Sequence, residues 1–267
     1  MSRIGLYRRT QTVEHMINEF TSADPERGDI WLVCFYFMRH LYWHKPRQTL
    51  LKSKIEVLPD DQDYKPKCLF ELSRLFGRAG NYAEQKRLLT LTLELERQRG
   101  DDFQVADTLQ SLCSVNRYLK LYEEGIRQAK ESLEIFERIG DTQEQANTLI
   151  HLTWLLVDEK QLDAAQDAAS RAIDLVPDKG QEFIVGQVHR VLGQIHQLKG
   201  EKEKAVHHFE TVIEIASPPN WHGELLWAHY GLAELFFDRG ELDNANTHIE
   251  RAKSHAVNNP HQLGYAM

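Results

Sequence analysis

A forty-residue spacing runs through most of the sequence and constrains its fold more than any other feature. Leucine recurs at this interval at Leu72, Leu112, Leu152, Leu192 and Leu232. Glycine follows it at Gly100, Gly140 and Gly180, and again at Gly80, Gly200 and Gly240, with Lys120 and Lys160 in the two intervening units. Such repetition is typical of an architecture in which each unit buries its apolar side against the next.

Each repeat has the pattern of two amphipathic helices joined by a short turn. In the third repeat, apolar residues between Leu149 and Val157 recur with helical spacing, and a second run from Ala165 stops at Pro177, which cannot continue a helix. Asp101 and Asp141 follow glycines and are placed to cap the helices after them. The pattern predicts helix pairs over 65–79 and 82–98, 103–119 and 122–138, 142–159 and 162–176, 182–199 and 202–216, and 222–239 and 242–256.

Three segments follow from this pattern. Residues 1–60 fit the repeat poorly and are predicted to be a degenerate N-terminal helical capping segment. Residues 61–257 are predicted to hold five units, at about 65–99, 103–139, 142–178, 182–218 and 222–257. Residues 258–267 would begin a sixth unit. We expect a truncated product, a partner that covers this end, or self-association through it, because an array normally ends in a polar capping helix.

The fourth unit resembles the tetratricopeptide repeat. Its residues His189, Leu192-Gly193 and His196, then Ala205, Phe209 and Pro218, follow that family's order of aromatic, Leu-Gly, aromatic, Ala, Phe and Pro, with histidines in the two aromatic positions. The resemblance implies an all-α fold, a right-handed α-solenoid of helical hairpins (an alpha–alpha superhelix), and a protein-binding scaffold. The period of 40 exceeds the family's usual length of about 34. A HEAT-type array shares such a period, but the small residues and the Leu-Gly step favour tetratricopeptide repeats.

A second resemblance covers almost the whole chain. The segments His44–Arg47, Leu58–Asp61 and Lys65–Phe76 are similar to the repeat arrays that follow NACHT or NB-ARC domains in fungal NOD-like proteins. In that family the array is taken to sense ligands or to hold the NTPase inactive. Because the sequence has no phosphate-binding loop of the Walker type, the resemblance implies a relative without the NTPase domain.

Composition narrows the classes of partner. The net charge is -8 and the pI is near 5.9, which argues against nucleic acid as the main partner. Residues 1–100 hold 17 basic and 13 acidic side chains, whereas the remainder holds 15 and 27, so the later repeats are acidic. No apolar run is long enough to span a membrane. The three cysteines, Cys34, Cys68 and Cys113, form no close pair, so we expect a reducing compartment, most simply the cytoplasm.

The sequence contains no arrangement typical of catalysis. It lacks His-Glu-x-x-His and Cys-x-x-Cys motifs, and we expect no enzyme activity, no cofactor and no metal site. The 13 histidines are expected to fill aromatic positions between helices, and His189 and His229 occupy equivalent places in the repeat. The remaining classes are a scaffold or sensor for a peptide or protein, a self-associating regulatory fragment of a NOD-like system, and an enzyme with an unrecognised site.

The resemblance also implies where a partner would bind. In tetratricopeptide arrays the first helices line a groove, and recurrent positions on them contact the ligand. Carried onto this sequence, the candidate partner-binding residues are Arg74, Arg78, Arg117, Trp154, Arg190, Gln194, Trp227 and Tyr230. Large aromatic residues dominate both binding energies and cores, so Trp154 and Trp227 are open to either role. The Lys and Asn residues with which the chaperone-binding subclass grips a terminal carboxylate are not reproduced, so we expect no tight binding of chaperone tails.

Overall fold

The computed structural model describes residues 51–52, 55–56, 64–176, 182–216 and 221–257. Within these ranges the regular structure is entirely helical and comprises ten helices with no strand, which confirms the all-α fold class. The helices are α1 (Tyr64–Arg78), α2 (Tyr82–Arg99), α3 (Asp102–Tyr118), α4 (Tyr122–Ile139), α5 (Thr142–Asp158), α6 (Leu162–Asp174), α7 (Glu182–Leu198), α8 (Lys202–Ile215), α9 (His222–Asp238) and α10 (Leu242–Val257).

The chain divides into two compact units, residues 1–108 and residues 109–267. In the first unit α1 packs against α2. In the second unit α5 packs against α6, α7 against α8 and α9 against α10, while α4 contacts α5 and α8 contacts α9. These are the contacts of successive hairpins. The predicted segments 1–60 and 258–267 lie outside the described residues, apart from Leu51, Lys52, Ile55 and Glu56, and the division into five repeats stays a prediction.

The turn inside each hairpin explains the first of the two sets of positions at which glycine recurs. Its central residue has positive φ in each of the five hairpins formed by α1 to α10: 74° at Gly80, 58° at Lys120, 59° at Lys160, 77° at Gly200 and 75° at Gly240. The next residue donates its backbone N–H to a carbonyl five residues earlier, as in Leu121 to Asn116 (2.8 Å) and Glu201 to His196 (2.8 Å). This Schellman arrangement satisfies the last carbonyls of the first helix. This conformation favours glycine. Two of the turns adopt the same conformation with lysine, a residue for which it is unfavourable.

The second set of glycines ends the second helix of a hairpin. Gly100 and Gly140 are left-handed C-caps, with φ of 71° and 78°. The following aspartates accept hydrogen bonds from the next helix, Asp101 from the Gln104 N–H (3.2 Å) and Asp141 from the Glu144 N–H (3.0 Å). The predicted caps are therefore confirmed, and the chain leaves one hairpin and enters the next within two residues.

The recurrent leucines and small residues lie in the core. All five grid leucines are buried, as are Gly125, Ala165, Ala205 and Ala245, where the second helix crosses the first. The first unit has Gln85 at the equivalent position. A Cβ at Gly77 would clash with that glutamine side chain, so the small residue has moved to the opposite helix of the pair.

Phe209 connects three helices of the second unit. Its ring, on α8, lies so close to Gly193 of α7 and Gly231 of α9 that a Cβ on Gly193 would lie 2.6 Å from the ring, and one on Gly231 would lie 2.5 Å from it. Phe209 is buried. The Leu-Gly step and the Phe of the repeat pattern are thus complementary halves of one contact. None of the described helices has the length and apolar character that crossing a membrane requires.

Candidate functional site

Polar residues of the first helices α3, α5, α7 and α9, together with three aromatic residues, form the candidate site of the second unit, which we call the first-helix face. Most apolar residues of these helices are buried in the core. The residues of the face are exposed or half-buried, except for Trp154, which is buried. The face comprises Gln110, Ser114, Arg117, Asn147, His151, Trp154, Asp158, Gln187, Arg190, Gln194, Gln197, Trp227, Tyr230 and Glu234.

Three side-chain contacts join α3 to α5 along this face. Gln110 Nε2 donates to Thr148 Oγ1 at 2.9 Å. Ser114 Oγ lies 3.0 Å from His151 Nδ1, and Arg117 Nε donates to Asp158 Oδ2 at 2.6 Å. The spacing of partners, 37 to 41 residues along the chain, is close to one repeat. Neighbouring first helices are therefore linked at corresponding positions.

His151 is uncharged in this environment. Burial lowers its pKa to about 4, and the positive charge of Arg117 adds to the effect. At neutral pH the imidazole is thus a neutral partner of the Ser114 hydroxyl. It can donate or accept one hydrogen bond, but it brings no positive charge that would hold a ligand carboxylate.

Trp154 lies between two arginines and is not a free anchor. The Arg117 guanidinium carbon is 5.0 Å and the Arg190 guanidinium carbon 4.2 Å from the centroid of its ring. Only 6% of Trp154 is exposed. Of the two surroundings that the sequence leaves open for this residue, the structure shows the packed one.

Both arginines are also ion-paired. Arg117 pairs with Asp158, and Arg190 pairs with Glu224 of α9, whose side chain is buried. The five residues form a chain of contacts that passes through α3, α5, α7 and α9. Because each guanidinium is neutralised by a carboxylate, this part of the face presents little net charge.

Free amides occupy the part of the face on α7. Gln197 Nε2 donates to Glu234 Oε2 at 3.0 Å. Gln187 and Gln194 are half-buried, and their side-chain amides make no hydrogen bond within the described part of the chain. A side-chain amide offers two donors and one acceptor oxygen. These two residues therefore present unused donors and acceptors to a ligand.

An aromatic pair stands on α9. The rings of Trp227 and Tyr230 meet edge to face, with centroids 5.9 Å apart. Trp227 is half-buried, and Tyr230 is 41% exposed. A hydrogen bond to Glu234 raises the pKa of the Tyr230 hydroxyl. The pair offers an apolar surface with a polar tip, in contrast to the enclosed Trp154.

The remaining predicted site residues belong to the first unit. Arg74 lies on α1 and pairs with Glu71 at 3.1 Å, one turn away. Arg78 is exposed at the end of α1. Both residues belong to the first unit, so they are not part of the first-helix face of the second unit.

Two features of the site were missed by sequence reasoning. Glu224, the partner of Arg190, stands in the first turn of α9, 34 residues after that arginine, and a spacing near one repeat was the signal. His151 is not among the predicted partner-binding residues, yet its Nδ1 contacts Ser114. Within the described residues no group of three or more His, Cys, Asp and Glu side chains could hold a metal ion. Cys68 and Cys113 are buried, and burial raises the pKa of the Cys113 thiol to about 12.

Comparisons with known proteins identify the repeat. Two family models described as tetratricopeptide repeat match residues 104–178 and residues 191–218. The chain therefore contains tetratricopeptide repeats, as the sequence pattern predicts. No curated protein matches the sequence.

Solved structures share the fold at low identity. The chain is similar to BtubC (BKLC) from P. vanneervenii, with 19% identity, a TM-score of 0.65, and coverage of 79% of this chain and 91% of that one. It is similar to the apo form of the quorum sensor NprR from B. thuringiensis, with 14% identity, a TM-score of 0.72, and coverage of 94% and 72%. It is also similar to the apo form of RapI, with 13% identity, a TM-score of 0.69, and coverage of 96% and 95%. At these identities the comparison shows the α-solenoid fold.

Proposed function

We propose that this protein is a non-enzymatic scaffold or sensor whose first-helix face binds an extended peptide or an extended segment of a protein. The observation that carries the proposal is the combination, on α7 and α9, of free side-chain amides with an aromatic pair that consists of the half-buried Trp227 and the exposed Tyr230. The candidate contact residues are Gln187, Gln194, Trp227 and Tyr230, with Arg117 and Arg190 holding the helices beneath them.

The amides favour main-chain recognition. Each unit of an extended peptide carries one N–H donor and one C=O acceptor that need partners when bound. Gln187 and Gln194 are seven residues apart, which is about two helical turns or ~10 Å along α7. That separation corresponds to about three residues of extended chain. The two amides can therefore hold one segment at two points without selecting its side chains.

The aromatic pair would supply selectivity. Tyr and Trp contribute large contact areas at a low cost in side-chain entropy and dominate many interfaces. Trp227 and Tyr230 present such an area next to the amides, whereas Trp154 cannot, because its ring faces are covered by Arg117 and Arg190. We expect a ligand with one apolar side chain seated against this pair.

Charge is a smaller part of the recognition. Arg117 and Arg190 are already paired with carboxylates, and the second part of the chain is acidic. A ligand that relied on its own carboxylates would have to displace Asp158 or Glu224. A neutral or weakly basic peptide is therefore favoured over an acidic one, over a nucleic acid and over a membrane surface. NprR, which shares the fold, is itself a quorum sensor.

The test is selection from a displayed library of random peptides, followed by measurement of affinity for the selected sequences. The double variant Trp227→Ala with Tyr230→Ala should weaken binding by tenfold or more, which corresponds to about 1.4 kcal/mol. Gln194→Ala should weaken binding of all selected peptides alike. Glu210→Ala, on the exposed side of α8, is the matched control. Binding that is lost equally in the control and the variants, or that survives in the double variant, would contradict the proposal.

A second candidate is a self-associating regulatory fragment of a NOD-like system. The observation that favours it is the exposure of Ile249 on α10, which is 38% exposed. The residues at the same position of the preceding hairpins, Ala129, Ala169 and Phe209, are at most 3% exposed. A reducing cytoplasmic location would suit this role, since Cys113 is a free thiol. Light scattering over a range of concentrations, with Ile249→Asp as the variant, distinguishes self-association from peptide binding by a monomer.

A further inference from the structure

Eight histidines of the second unit lie in two clusters, one in each of its last two hairpins. In the α7–α8 hairpin, His189 Nδ1 lies 3.0 Å from His208 Nδ1. The ring of His208 stacks on that of His196 with centroids 5.1 Å apart, and His207 lies beside it at 5.6 Å. The main contact joins the first helix of the hairpin to the second.

The α9–α10 hairpin repeats the arrangement. His229 Nδ1 lies 2.9 Å from His248 Nδ1, and His229 stacks on His255 with centroids 5.7 Å apart. His255 Nδ1 in turn lies 3.2 Å from His222 Nδ1. Four imidazoles thus link α9 to α10 through two hydrogen-bonded pairs, His229 with His248 and His222 with His255.

The two main pairs occupy identical positions in successive repeats. His189 and His208 stand forty residues before His229 and His248, and the same positions of the α5–α6 hairpin hold Leu149 and Ala168. Leu149 and Ala168 are buried. An apolar contact between the helices of the third hairpin is therefore replaced by a hydrogen-bonded imidazole pair in the fourth and fifth.

We propose that these imidazole pairs make the last two hairpins proton-sensitive, so that acidification separates α7 from α8 and α9 from α10 while the α5–α6 hairpin stays closed. The proposal is independent of the peptide-binding function, although α7 and α9 carry the first-helix face and would move with their hairpins.

The hydrogen bond within each pair requires at least one neutral imidazole. One Nδ1 donates its proton and the other accepts through its lone pair, which exists only in the neutral ring. When both rings are protonated, the bond is lost and two positive charges face each other at about 3 Å in a partly buried site. The folded hairpin thus disfavours the doubly charged form.

The surroundings favour neutral rings at physiological pH. Burial lowers the pKa of His208 and of His229 to about 4, and it also lowers the pKa of His189, His248 and His255. Neighbouring imidazoles add to the effect, as His189, His196 and His207 do for His208.

Three other charged groups face the clusters. In the first, Glu201 Oε2 lies 2.8 Å from His196 Nδ1 and is also bound by Lys204. In the second, Arg251 of α10 lowers the pKa of both His229 and His248, and Phe236 of α9 stacks on His248 at 5.4 Å.

The direction of the effect follows from linkage. The folded pKa values of these histidines lie below the ordinary value of 6.5, so an opened hairpin takes up protons that the closed hairpin does not. Stability from the pairs is fully present above pH 6.5 and is lost as the pH falls toward 4. Each such proton multiplies the opening equilibrium by about ten per pH unit in this window.

Hydrogen exchange resolved by peptide tests the proposal on the full chain. After correction for the intrinsic exchange rate, amides of α8 and α10 should exchange about tenfold or more faster at pH 5.0 than at pH 7.5. Amides of α6 should gain much less, because this helix carries no histidine. Helix α5 is left out of the comparison, since burial also lowers the pKa of its own His151. The result should be the same with and without EDTA, and a response that disappears with the chelator would overturn the proposal in favour of a bound metal.

The third hairpin supplies the matched variants. His189→Leu with His208→Ala should abolish the acid response in the fourth hairpin alone, and His229→Leu with His248→Ala should do so in the fifth alone. Where either pair of substitutions prevents folding, His208→Gln or His248→Gln replaces it, because glutamine keeps a polar side chain that does not titrate. An acid response that persists in the variants, or one that is uniform from α6 to α10 in the wild type, would overturn the proposal.

Discussion

The guanidinium of Arg190 stacks on the indole of Trp154 while its Nε pairs with Glu224, so that one arginine joins three first helices of the second unit. Arginine suits this position because its planar group can stack and form directed hydrogen bonds at the same time. The consequence is that the residues most prominent in the sequence as binding anchors are partly used to hold neighbouring repeats together.

We expect Arg190→Ala to destabilise the second unit by about 3 kcal/mol, because it leaves the buried Glu224 carboxylate without its partner. Arg190→Lys should recover only part of this loss, since lysine keeps the charge but not the planar stacking. Urea unfolding measures both. Gln194→Ala, four residues further along the same helix, is the control. Equal stability of the Lys variant and the wild type would show that stacking on Trp154 contributes nothing.

The turns inside the hairpins give a second prediction. Lys120 and Lys160 adopt positive φ where the other three hairpins have glycine. A left-handed conformation costs an ordinary residue about 1–2 kcal/mol. Glycine avoids this cost, but its larger conformational entropy in the unfolded state offsets part of the gain in stability. Lys160→Gly should therefore stabilise the protein by about 1 kcal/mol.

The reverse substitution is its control. A Cβ at Gly200 would meet no atom within 4 Å, so Gly200→Lys should destabilise the protein through its backbone conformation alone. Thermal unfolding of both variants, with Lys204→Gly at an exposed helical position as reference, checks the pair. A gain of stability in both substitutions, or in neither, would contradict the assignment.

The packing of Phe209 gives a third prediction. Because a Cβ on Gly231 would lie about 2.5 Å from the Phe209 ring, Gly231→Ala should destabilise the protein by about 1–3 kcal/mol through overpacking. Combining it with Phe209→Leu, which creates space, should cost less than the sum of the two single changes. A double-mutant cycle by chemical unfolding measures the coupling. Additive effects on the free energy of unfolding would mean that the two positions are not in direct packing contact.

Much of the fold could be predicted because it depends on local rules that repeat. Helix ends at Gly100 and Gly140, caps at Asp101 and Asp141 and buried leucines every forty residues each follow from backbone geometry or periodicity. Gln85, which occupies a small-residue position, could not be interpreted from its own repeat. Its compensation lies at Gly77, on the facing helix, and only the structure shows that the two meet.

The candidate site was harder to predict for a physical reason. Repeat spacing identifies which side chains lie on the first helices, but it does not show which of them bind one another. Trp154 and Tyr230 come from the same kind of position, yet two arginines cover the first and the second is exposed. That difference depends on contacts between helices about forty residues apart, and the side chains at both ends must be known.

Glu96 gives the last prediction, in the first unit. Its side chain is buried, with 4% of the residue exposed, and its Oε2 atom has no hydrogen-bond partner among the residues that the structure describes. Burial raises its pKa from 4.5 to about 7, and the charges of Asp107 and Asp101 add to the effect. The folded state therefore binds a proton that the unfolded chain releases near pH 4.5, so stability falls as the pH rises through this window.

Glu96→Gln removes this titration while it keeps the size of the side chain. We expect the variant to match the wild type near pH 4 and to exceed it in stability at pH 8.5 by on the order of 3 kcal/mol, at about 1.4 kcal/mol for each unit of pKa difference. Urea unfolding of the full chain at the two pH values measures the effect, with the exposed Glu94→Gln as control. A difference between Glu96→Gln and the wild type that is the same at both pH values would show that folding does not raise the pKa of this carboxyl.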